Sequence, residues 1–70
     1  MIGIMATAQQ IFEQQFLEMR WRCLSLAADF DRIAEPIVDD DRMKKLRQAI
    51  QVLLSDQPDR AAKVQMIFSE

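Results

Sequence analysis

The sequence predicts an all-α fold, and three observations predict it. The 70-residue chain has one glycine, at position 3, and only two prolines. No stretch shows the β-branched alternation and glycine turns that strands need. Apolar residues recur instead at helical spacing between the prolines.

The first helix is expected over residues 8–34. Thr7 can cap it, and Gln10, three residues on, completes a capping box. Nothing breaks the pattern until Pro36, and the residue before a proline leaves the α region. Glu18 and Arg22 form an i, i+4 pair in the better orientation. The second helix is expected over residues 40–55. Asp39 or Asp40 can cap it, and the remaining acids suit the positive end of its dipole. The third is expected over residues 58–68. Asp56 or Gln57 would cap it, with Pro58 in the first helical position and Asp59 in the first turn.

The first helix would span roughly 40 Å, and the other two in series about as much. This predicts one small domain over residues 1–70, a helical hairpin of one long and two shorter helices. Its returning arm bends at Pro58, and two copies assemble into an antiparallel bundle. Residues 1–6 are expected to be disordered. The "MAT" at residues 5–7 also resembles an ordinary start, which would make Met1–Ile4 an upstream extension.

The long helix has two apolar faces. Phe12, Phe16, Met19, Cys23, Leu26, Phe30 and Ile33 are spaced 4, 3, 4, 3, 4, 3, an unbroken heptad seam. Met43, Leu46, Ile50 and Leu53, with Leu54 alongside, form a counterpart on the second helix; the third offers Ala61, Val64, Ile67 and Phe68. The economical packing sets these against the seam, with Cys23 as a small buried hydrophobe. Leu17, Trp21, Leu24 and Ala28, spaced 4, 3, 4, point about 160° away from the seam. Polar residues separate the two faces, and a hairpin covers only one.

Trp21 therefore has three possible neighbours: the same stripe of a second copy, the third helix folded back, or an unrelated protein. The second copy is favoured. A chain this short buries only about 60% of the surface its unfolded form exposes, and small chains add disulfides, a metal or a partner. With one cysteine and no histidine, an internal disulfide is excluded and a zinc site nearly so. The predicted interface is Leu17, Trp21, Leu24 and Ala28. If the faces are reversed, the Phe-rich seam forms the oligomer instead.

Little in the sequence points to catalysis. Cys23 has no histidine to activate it. Asp39, Asp40 and Asp41 lack the alternate spacing, central glycine and distal glutamate of a calcium loop, so capping is the simpler role. Arg42, Lys44, Lys45 and Arg47 spread around the helix, and no aromatic residue is interleaved for base stacking. The methionines read as core filler. There is no phosphate loop or dinucleotide fingerprint, and no cofactor is implied.

Net charge is −2, from nine Lys/Arg against eleven Asp/Glu, a balance that favours neither nucleic acid nor an anionic membrane. The longest uncharged run, Met1–Phe12, is too short to span a bilayer and has no basic leader. A lone free cysteine fits a reducing compartment, so the expected location is cytoplasmic. The predicted function is a non-enzymatic helical protein–protein interaction module that self-associates. The alternatives are a regulatory nucleic-acid-binding helical protein and a docking subunit of a larger complex.

Overall fold

The computed structural model of the chain describes residues 6–69, so the disorder expected over residues 1–6 lies outside the described residues except at Ala6, and the upstream-extension reading of Met1–Ile4 lies wholly outside them. It contains three helices, α1 (Ala8–Ile33), α2 (Asp41–Leu54) and α3 (Arg60–Ser69), and no strand among the described residues. None of these helices is long and apolar enough to cross a membrane. The chain divides into two compact units, residues 1–35 and 36–70.

The first unit is built on α1. Both halves of the capping box form. Gln10 donates its backbone N–H to Thr7 Oγ1 at 3.1 Å, and Thr7 donates its own to Gln10 Oε1 at 2.9 Å. These bonds satisfy orphan donors of the first turn. No internal glycine or proline interrupts the 26 residues that follow. Arg32 in the last turn suits the negative end of the dipole.

The helix stops in a tight turn. Ala34 has φ 64° and ψ −32°, and Glu35 N–H donates to the Ile33 carbonyl at 2.6 Å. A bond spanning two residues around a positive-φ centre is a γ-turn of the rare, strained kind. Left-handed backbone costs a residue with a Cβ about 1–2 kcal/mol. Pro36 removes the option of helical continuation at Glu35. Ala34→Gly should therefore raise the thermal midpoint of the folded chain, by up to about 1 kcal/mol of stability. A lower midpoint would show that the turn carries no strain that glycine relieves.

The second unit is the α2–α3 pair. Asp40 caps α2 from an extended conformation, its carboxylate accepting from Arg42 N–H at 2.8 Å. The Arg42 guanidinium then closes a fork on the same carboxylate: Nε to Oδ1 at 3.2 Å, and Nη2 to Oδ2 at 2.8 Å. These hydrogen bonds hold the Asp40 carboxyl at about 2, below its usual 3.8, and raise the Arg42 pKa in return. The sign follows from linkage. A depressed carboxylate stabilises the fold above its unfolded pKa and loses that contribution as pH falls through the folded one. Helicity at the start of α2 should hold to about pH 4 and decline toward pH 2. Circular dichroism of wild type against Asp40→Asn checks this; an unchanged acid profile in the variant would remove Asp40 as the cause.

At its far end α2 is closed by Ser55, whose N–H and hydroxyl both donate to the Val52 carbonyl at 3.1 and 2.7 Å. Arg60 adds a cation there, donating to the carbonyls of Leu53 (3.4 Å) and Ser55 (3.0 Å). A guanidinium at a helix C-terminus complements the dipole. Although Arg60 opens α3, it is spent on closing α2.

Two expectations for this corner are corrected. Pro58 is not in the first turn of α3, which begins at Arg60. Asp59 intervenes with φ 60°, and its carbonyl accepts the first helical bond, from Lys63 N–H at 3.0 Å. Aspartate tolerates that left-handed conformation better than most residues, so the break falls there. Second, α3 packs back against α2, so the corner folds the arm on itself and does not merely bend it. Ala49, 4% exposed, is the one buried residue among the described residues. Met43, Leu46 and Ile50 of α2 and Val64 and Ile67 of α3 are half-buried. Leu53, Leu54 and Phe68 stay exposed.

Candidate interface on the long helix

A single helix has no internal core, so its apolar residues are covered only by something packed on it. On α1 both faces are open, the Trp21 line more so than the seam. Leu17 is 73% exposed, Trp21 64% and Leu24 47%, while Ala28 is half-buried. On the opposite face Phe12 is 48% exposed, Phe16 46% and Met19 46%. Leu26 and Phe30 are half-buried, and Ile33 is exposed. The Phe12 and Phe16 rings stack on each other at 5.6 Å between centroids, tilted by 57°. That is the i, i+4 aromatic contact of neighbouring turns.

Cys23 is exposed. The expectation of a buried thiol at the centre of the seam is thus corrected for the single chain. A heptad position fixes which way a side chain points, but burial needs a second surface on that side.

Charged residues line both borders of the faces. Glu18 and Arg22 approach to 3.9 Å, and Asp29 and Arg32 to 2.6 Å. All four side chains are well exposed, so each pair contributes little to stability alone. They nevertheless fix where charge sits along the helix edge.

Elsewhere the chain offers little for chemistry. An open, shallow recess of about 290 Å³ is lined by Ile37, Asp40, Arg42, Met43 and Leu46. Its one carboxylate is engaged by the α2 backbone and by Arg42. Asp40 caps α2 and Asp41 lies in its first turn, with Lys44 4.0 Å from Asp41. Arg42 and Lys44 thus have acidic neighbours within the same helix start, as a solvated surface would. Among the described residues no group of three His, Cys, Asp or Glu side chains is arranged to hold a metal ion. The Asp40–Arg42 fork was not legible in the sequence, because an i, i+2 contact forms only when the cap residue is extended.

No protein-family model matches the chain, and neither a curated protein nor a solved structure matches it.

Proposed function

We propose that this protein is a small non-enzymatic helical interaction module that self-associates through Leu17, Trp21, Leu24 and Ala28 of α1. Its work is to present a surface or to bring partners together, in the cytoplasm. One observation carries the reading: a tryptophan flanked by two leucines in one line, all three exposed in the single chain. Contiguous apolar patches of this kind mark interaction sites, and tryptophan is among the side chains that dominate interface energies.

The spacing supports an antiparallel pair. In that arrangement Trp21 lies across from Leu24 of the second copy, and Leu17 across from Ala28. Large side chains then meet smaller ones at every layer, and the two-fold axis makes the patch complementary to itself. The helix dipoles also oppose. The absence of histidine and the engagement of Asp40 support a non-enzymatic role. A single cysteine supports a reducing location.

The test is the solution mass by light scattering after size exclusion. The chain weighs 8.2 kDa. A mass of two or more copies is expected. A strict monomer across the micromolar range would overturn self-association.

A further inference from the structure

The opposite face of α1 has its own self-complementary register, selected by charge together with the number of apolar layers it pairs. We infer that a second copy also covers the Phe-rich seam, antiparallel, with Cys23 against Leu26, Met19 against Phe30, and Phe16 against Ile33. This rests on the self-association proposed above and adds a second surface to it.

The seam consists of two columns. Phe16, Cys23 and Phe30 form one, bordered by Gln15, Arg22 and Asp29. Met19, Leu26 and Ile33 form the other, bordered by Glu13, Arg20 and Ala27. Border residues set the orientation of paired helices. A parallel pair would set Gln15 beside Arg20, Arg22 beside Ala27 and Asp29 beside Ala34, with no opposite charges meeting. An antiparallel pair with Cys23 against Met19 would set Arg22 beside its own mate and Arg20 beside its own mate, a like-charge contact on each border. Shifting by one heptad in either direction removes both clashes. Cys23 against Phe12 would set Glu13 beside Arg20 but pair only four seam residues of each copy, whereas Cys23 against Leu26 pairs six. Arg22 then lies beside Asp29 of the second copy, twice by symmetry, and Arg20 lies beside Ala27. The pairs already present within each helix, Glu18 with Arg22 and Asp29 with Arg32, extend these contacts into an alternating row of four charges. Attraction in one register and repulsion in its neighbour is how helix pairs obtain specificity.

The six seam side chains of this register, half-buried to half-exposed, offer on the order of 400 Å² per copy. That is the size of a small, weakly held contact. With the Trp21 face also paired, the assembly extends beyond two copies.

The experiment isolates the seam in the full chain by working in a Trp21→Glu background, with Trp21→Ala in its place if circular dichroism shows helix loss. Arg22→Asp and Asp29→Arg are introduced separately and the two proteins are then mixed. Each alone places like charges at both Arg22–Asp29 contacts and should weaken its own dimer roughly tenfold. The mixture restores both contacts, so mixed dimers should exceed the statistical half by native mass spectrometry. Changes within each helix are common to pure and mixed dimers and cancel. If Asp29→Arg dimerises as well as its parent, the register is wrong, because the neighbouring one sets Asp29 only beside Gln15. If the Trp21 variant is monomeric, the seam inference falls and the Trp21 face stands. If that variant keeps the wild-type mass and Phe30→Glu abolishes it, the seam stands and the Trp21 assignment falls.

Discussion

Trp21→Glu is expected to lower the solution mass of the protein while leaving its helical content nearly unchanged. The side chain is 64% exposed in the single chain, so nothing within the fold depends on its packing. Glutamate is also a better helix former than tryptophan. An aromatic anchor at the centre of an interface costs about 2 kcal/mol or more when removed. A two-fold pair loses it twice, so dissociation through this face should strengthen by roughly a thousandfold. Trp21→Phe keeps an aromatic ring and should lose much less. Light scattering with circular dichroism on the same samples separates the two effects. Unchanged mass at full helicity would move the interface away from Trp21. Loss of helicity would mean that the indole supports the fold, contrary to its exposure.

Ala49→Asp is expected to release α3 from α2 and melt the second unit. Ala49 is 4% exposed, the most deeply placed side chain of that pair. A carboxylate there would be an uncompensated buried charge, costing about 3 kcal/mol or more. A unit of this size has about 2–5 kcal/mol in total. The helical signal of α2 and α3, 14 and 10 residues, should fall together, because short helices rely on tertiary packing. Leu54→Asp introduces the same charge on the same helix at a site that is 76% exposed, and should change the melting curve little. Equal damage from the two substitutions would show that charge, not burial, is responsible.

The contrast between these sites shows what periodicity conveys. The spacing of Leu17, Trp21 and Leu24 placed them on one line because helical direction is local and repeats every 3.6 residues. The same logic placed Cys23 with the phenylalanines, and their shared direction holds. Its burial did not follow, since direction and coverage are separate facts. On α2, Met43, Leu46 and Ile50 shared a predicted face and are half-buried, while Leu53, next in the same series, is exposed. The face was legible; which of its residues become covered was not.

By itself the sequence determined the three helices and the starts of α1 and α2. Thr7 with Gln10, and Asp40 ahead of Asp41, act through hydrogen bonds spanning two or three residues, so their effect is written in adjacent letters. It also determined that α1 carries two apolar faces with charged borders. Only the tertiary structure decided the corner at residues 55–59. There Asp59 takes a left-handed φ, Pro58 falls outside the helix, and Arg60 reaches five and seven residues back to close α2. That outcome depends on α3 finding Ala49's side of α2, a packing gain between residues distant in the chain that no local propensity encodes.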